Sequence, residues 1–230
     1  MSRAIPRGAE VWIVTLSDAD PVCEPILIRD DDRARYGKIR LSRRRRLFAF
    51  RRHVREYVLR QYAPHHSIRM EGASGRPYLL SRRGRQPLYF SYAASGGICA
   101  VGISRCPLGL DVEAVDRPID MVALCTRFFP GFPTWDGYSG HEEWLRKQAF
   151  GSWCRTEAYG KLSGIPLHAL LVDRDRQMTR FVASRAGNDA VIYGQEFVCA
   201  ISQRNRVRVD SVIQVPFSTI LRETSNAENY

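Results

Sequence analysis

Lysine is almost absent from this chain: three residues stand against 32 arginines among 230. Its positive charge is therefore carried by planar guanidinium forks rather than compact ammonium groups. Long apolar runs are missing too. None approaches the roughly 18 consecutive apolar residues a spanning helix needs, which excludes an integral helical membrane protein. The apolar stretch before Ser17-Asp18 is too short for a secretory signal, so the chain is expected in the cytosol. The six cysteines (Cys23, Cys99, Cys106, Cys125, Cys154 and Cys199) form no C-x-x-C pair and no His-rich metal spacing. Free, largely buried thiols are expected. No Gly-rich strand-to-helix phosphate loop is visible, which argues against a Rossmann sheet.

Charge is what the chain has in one place. The net charge is +11, and between Arg33 and Arg60 twelve basic residues face one acid, Glu56, so this window carries all of it. The natural partners of such a window are phosphates, on nucleic acid, nucleotides or lipid head groups. An apolar share of 44% is ordinary for a globular chain, and the length suits one large domain or two small ones.

Periodicity gives a coarse map. Val11 to Leu16 reads as a strand. The Asp30-Asp31-Asp32 cluster supplies a cap for a long amphipathic helix running to about Tyr62, with Leu47, Phe50, Val54, Tyr57, Val58 and Tyr62 at three- and four-residue steps and an Arg-coated face. The stretch from Gly72 to Gly84 is turn-rich. Leu88-Tyr89-Phe90 starts a strand that breaks at Ser95-Gly96-Gly97. Ile98–Ile103 and Leu108–Val112 read as a hairpin across the Ser104–Pro107 turn. After a Pro/Gly-rich loop from Pro130 to Gly140, His141 to Leu162 reads as a helix with Phe150, Trp153, Cys154 and Ala158 on one face. Further strands follow Ile165, notably Val191–Tyr193 and Phe197–Ile201, and the polar end beyond Arg222 reads as frayed. The class is α+β, with two similar halves meeting near residue 110.

Two small constellations carry chemistry. Asp111-Val112-Glu113 on a strand places both carboxylates on one face, where they repel; a hard cation such as Mg²⁺ relieves that, although a solvated strand face explains the same pair. Glu157 and Lys161, four apart on a helix beside Trp153, share a face, as an ordinary surface ion pair also does.

Together these two segments form a pattern. Gly109-Leu110-Asp111-Val112-Glu113, followed some forty residues later by Trp153 to Lys161 (W-C-R-T-E-A-Y-G-K), resembles the signature of the surfactin-type 4′-phosphopantetheinyl transferases. Gly75-Arg76-Pro77, Phe90 to Gly96, Thr126-Arg127-Phe128-Phe129, and Arg46 with the Arg60-Gln61-Tyr62 helix end resemble further pieces in the family's order. The likeness covers roughly residues 33 to 201.

The resemblance implies two similar α+β halves in a pseudo-twofold arrangement with a cleft between them. The halves would be residues 1–108 and 109–222, with 223–230 a flexible tail. It implies a monomer that moves the phosphopantetheine arm of coenzyme A onto a serine of an acyl or peptidyl carrier protein. Asp111, Glu113 and Glu157 would hold Mg²⁺, Glu157 would be the base, and Lys161 would steady the pyrophosphate or the leaving adenosine bisphosphate. Arg46, Arg76 and Ser95 would join Lys161 in holding coenzyme A. Two positions depart from the pattern: Ala94 stands where the family has a phosphate-contacting His, and Thr156 where a Lys precedes the metal-binding Glu. Each lost charge-assisted hydrogen bond is worth about 1.5–3 kcal/mol, with the Arg43–Arg46 surplus as an offset. Two rival readings remain: a repurposed relative that keeps fold and carrier surface, and a nucleic-acid-binding protein using the Arg33–Arg60 window.

Overall fold

A computed structural model of the protein describes residues 3–21, 30–64, 66–71, 76–81, 88–129, 132, 141–172, 188–204 and 206–227. The architecture is α+β, with two sheets. Strands β1 (Ala9–Thr15), β2 (His66–Glu71), β3 (Arg76–Ser81), β4 (Leu88–Ser95), β5 (Ile98–Ser104) and β9 (Val209–Pro216) form a six-stranded sheet ordered β2-β3-β4-β5-β1-β9. Strands β6 (Leu108–Ala114), β7 (Asp189–Tyr193) and β8 (Phe197–Gln203) form a second sheet ordered β6-β8-β7. The helices are α1 (Asp30–Lys38), α2 (Ser42–Tyr62), α3 (Met121–Phe128), α4 (Glu142–Ser163), α5 (Leu167–Val172) and α6 (Phe217–Ala227).

Side-chain alternation explains the layering. Along β1, Val11 and Ile13 point to the second sheet, where they meet Leu110, Val112, Cys199 and Ile201, while Trp12 and Val14 point outward to Phe50, Val54 and Val58 of α2 and Phe217 of α6. Both faces are covered, so β1 reads as an unbroken apolar run. The second sheet's other face carries Val198 and Ala200, which pack on Phe150, Cys154 and Ala158 of α4 and Cys125 of α3. Burying about 25 cal/mol per Å² of apolar surface along these three seams is the main stabilising term.

Four expectations change. The single long helix is two, because the chain leaves helical geometry at 39–41 and Leu41 sits extended at the start of α2; the Arg45 guanidinium turns back to the Ile39 carbonyl (2.8 Å) and fixes that corner. Asp32, expected as part of a cap, is buried inside α1, where it pairs with Arg52 (2.9 Å) and Arg55 (3.0 Å) and ties the two helices together. The hairpin is not β5–β6 but β4–β5, closed by Gly96 at φ 56°; β6 crosses to the other sheet and pairs with β8. The end of the chain is not frayed through residue 227: β9 runs parallel to β1 and α6 packs on α2, with Tyr57 donating to Glu223.

The strand at Arg76–Ser81 lies inside the stretch read as turns. The Pro130–Gly140 loop, apart from Phe132, and Cys23 lie outside the described residues. The other five cysteines are free, and burial pushes the Cys99 and Cys125 thiols up to about 12. No helix among the described residues is long and apolar enough to cross a membrane.

Candidate active site

Helix α4 lies directly on β6, and a glycine permits it. A Cβ at Gly109 would stand 1.8 Å from the Ala158 carbonyl oxygen and 2.6 Å from the Leu162 nitrogen, so only Gly allows the two backbones to touch. Gly109, Asp111 and Glu113 share the strand face that α4 covers, opposite to Leu110 and Val112. The contact sets Glu157 and Lys161 beside Asp111.

Lys161 Nζ donates to Asp111 Oδ1 at 2.8 Å and to the Leu110 carbonyl at 3.1 Å. Asp111 is 4% exposed, and the Cys154 thiol reaches its carboxylate as well. Burial holds the Asp111 carboxyl above its ordinary range, with the Lys161 ammonium pulling the other way. Glu157 is also raised, first by burial and then by the Asp111 carboxylate; Lys161 and a hydrogen bond from Trp153 counter this in part. Glu113 is held differently: Ser95 donates to it at 2.5 Å and Arg117, in the turn after β6, pairs with it at 2.5 Å. Arg117 was not legible as a site residue, because Glu113 lies at the end of a strand and the turn that brings the arginine back to it carries no sequence signal.

Glu157 and Lys161 open onto a cavity of about 1040 Å³, also lined by Arg35 and Lys38 of α1, Phe48, Arg51 and Arg52 of α2, and Phe90 to Ala94 of β4. This is at the upper end for a cofactor site. Arg52 is fixed by Asp32 and by the Tyr92 hydroxyl (2.7 Å). Among the described residues, Arg35, Lys38 and Arg51 face the cavity without a carboxylate partner, and the Arg51 Nε is buried and unbonded.

The sequence-derived positions separate into groups. Asp111, Glu157 and Lys161 are brought together; Ser95 and Glu113 meet next to them. Arg46 lies off the cavity wall, its guanidinium donating to the carbonyls of Ser17 (2.6 Å) and Asp20 (2.8 Å) in the loop after β1. Arg76 opens β3, and its side chain lies outside the described residues. Ala94 lines the cavity, whereas Thr156 is 3% exposed and bonds back to the Ser152 carbonyl at 2.9 Å. A lysine at 156 would have to bury its ammonium there, so this departure follows from the packing of α4.

The donor set suits a hard cation, being carboxylate oxygen throughout, although the Cys154 thiol already reaches the Asp111 carboxylate. As they stand, Asp111, Glu113 and Glu157 do not converge on one point: no group of three His, Cys, Asp or Glu side chains among the described residues is placed to hold a metal ion. Arg117 and Lys161 already pair with two of the three carboxylates and hold them apart from the third. No family model and no curated protein matches the chain.

Proposed function

We propose that the protein is a 4′-phosphopantetheinyl transferase, moving the arm of coenzyme A to a serine of an acyl or peptidyl carrier protein. One observation carries the reading: a single cavity has unmatched cations on its α1–α2 wall and a carboxylate of raised proton affinity, Glu157, on its α4 wall. The first wall suits the phosphates of coenzyme A and the second suits deprotonation of a hydroxyl. The pseudo-twofold pairing of the two sheets and their helices, with the cavity between them, belongs to this proposal.

In this reading Asp111, Glu157 and Glu113 would have to converge to hold Mg²⁺, which would supply charge neutralisation at the pyrophosphate. The Glu157 carboxylate takes the proton of the serine hydroxyl. The serine oxygen forms a bond to the phosphorus bearing the pantetheine, and the P–O bond to adenosine bisphosphate breaks. Lys161, anchored on Asp111 and Leu110, faces the charge that builds on the leaving group. Arg51, Arg35 and Lys38 replace Arg46 as the cations that hold the nucleotide phosphates.

Intact mass of apo carrier proteins after incubation with coenzyme A and Mg²⁺ tests this. A gain of one phosphopantetheine that Glu157→Gln abolishes is expected; no gain on any fatty-acid, polyketide or peptide carrier would refute it.

A further inference from the structure

Outside the large cavity, the turn after β6 gives one carboxylate of the site a removable partner. Arg117 pairs with Glu113 at 2.5 Å, on the same oxygen that accepts from Ser95. The two side chains differ in exposure: Glu113 is 10% exposed, Arg117 36%. The backbone beneath Arg117 is pinned. The Val115 N–H donates to the Glu196 carbonyl (3.0 Å), and the Arg146 guanidinium of α4 donates to the carbonyls of Val115 (3.0 Å) and Arg117 (2.9 Å). Movement is thereby left to the arginine side chain. Arg117 also borders a separate cavity of about 520 Å³, whose lining includes Asp116, Asp120 and Glu142. None of these three carboxylates has an ion-pair partner among the described residues.

We infer that Arg117 is a latch on the cation site, held on Glu113 until a hard divalent cation displaces it into the cavity lined by Asp116, Asp120 and Glu142. In the arrangement seen, the pair keeps Glu113 from joining Asp111 and Glu157. Glu113 and Asp111 share a strand face, so a change of side-chain rotamer, not of backbone, brings them together. Two terms favour the exchange. A nearly buried carboxylate gains more from a double charge than from a single one. The departing guanidinium, already a third in water, meets three carboxylates where it lands, so its release costs little. The cation shifts the population by its preference for the open arrangement, and the latch sets the concentration at which it does so. The inference rests on the cation-holding part of the transferase reading and on no step of the transfer.

Mn²⁺, a hard divalent probe followed by electron paramagnetic resonance of the free ion, tests it without coenzyme A or carrier protein. Four variants are titrated beside the wild type: Arg117→Met, Arg117→Lys, Glu113→Gln, and Asp116→Asn combined with Glu142→Gln. Asp116 and Glu142 are exposed, so the combined variant keeps its fold whatever Arg117→Met does. Asp120, which caps α3 through the Ala123 N–H, is left alone. The expected result is Mn²⁺ binding about fivefold tighter in Arg117→Met, the upper worth of an ion pair this exposed, and close to wild type in Arg117→Lys. The combined variant should bind more weakly than wild type, and Glu113→Gln most weakly of all. Binding in Arg117→Met no tighter than in wild type overturns the latch and leaves the cation site standing. Undiminished binding in the combined variant overturns it as well, without touching the pair. Binding lost in the combined variant but kept in Glu113→Gln places the ion in the outer cavity and overturns it too. No binding by any of the proteins at millimolar Mn²⁺ overturns latch and cation site together. A latch that behaves as expected in a protein that transfers no arm refutes the transferase alone.

Discussion

The two walls of the large cavity manage charge in opposite ways. Behind the α4 wall, Asp111 is answered by Lys161, which lines the cavity, at 2.8 Å, and Glu113 by Arg117 at 2.5 Å. On the α1–α2 side, Arg52 has its partner in buried Asp32, but Arg35, Lys38 and Arg51 meet no carboxylate among the described residues. A wall whose ions are matched keeps its geometry without a ligand; a wall of like charges gains most when an anion arrives. In the proposed transferase the first wall would handle the proton and the second would bind the phosphates.

Removing Glu157 should separate the walls most sharply. Glu157→Gln is expected to lower the transfer rate by about 10²- to 10⁴-fold, the usual worth of a general base, read by intact mass of the carrier protein. The wild-type rate should fall on the acid side at a pH above the ordinary Glu range, because burial raises this carboxyl. The same raised affinity favours folding while Glu157 is protonated, and that contribution is lost as pH rises through its folded value. Glu157→Gln should therefore raise the melting temperature at pH 8 more than near pH 4.

Next in size, Gly109→Ala should push α4 off β6, since its methyl would collide with the Ala158 carbonyl at 1.8 Å. Overpacking of this kind costs about 3 kcal/mol, measurable by urea unfolding, and transfer should fall with it. Lys161→Met leaves Asp111 buried without its cation; with the ammonium partly solvated, a loss of about 2 kcal/mol is expected by the same measurement. Coupling of Lys161→Met with Asp111→Asn in a double-mutant cycle would confirm that the cost belongs to the pair.

The smallest effects distinguish two arginines of one helix. Arg51→Ala should weaken coenzyme A about tenfold and leave stability nearly unchanged. Arg46→Ala should cost about 1 kcal/mol of stability through the 17–20 loop, its hydrogen-bond partner, and leave coenzyme A affinity unchanged. The reverse pattern would restore Arg46 to the phosphates.

Local pattern carried most of the elements and few of the partnerships. The β1 run, the β4 break at Gly96 and the helix through Trp153 to Lys161 were legible because apolar periodicity and turn residues act over a few positions. The partner of β6 was not, because Ser104 to Pro107 marks a turn equally well within one sheet and between two. The helix break at 39–41 carries no Pro, and Gly37 precedes it; it is held by a local contact of the Arg45 side chain with the Ile39 carbonyl, which no backbone-propensity signal marks. Strand β9 alternates half-buried and exposed residues at the edge of the first sheet, too weak an apolar signal to single out. Asp111, Glu157 and Lys161 were readable as a group because their segments resemble a known signature. Which arginines face the cavity was not, because twelve basic residues in one window look alike until packing sorts them.

The central claim is that both walls serve one ligand. Isothermal titration of coenzyme A into the wild-type protein with Mg²⁺ tests it most directly. One site per chain, weakened by Arg51→Ala on one wall and by Lys161→Met on the other, is the predicted result; no heat at millimolar coenzyme A would contradict it.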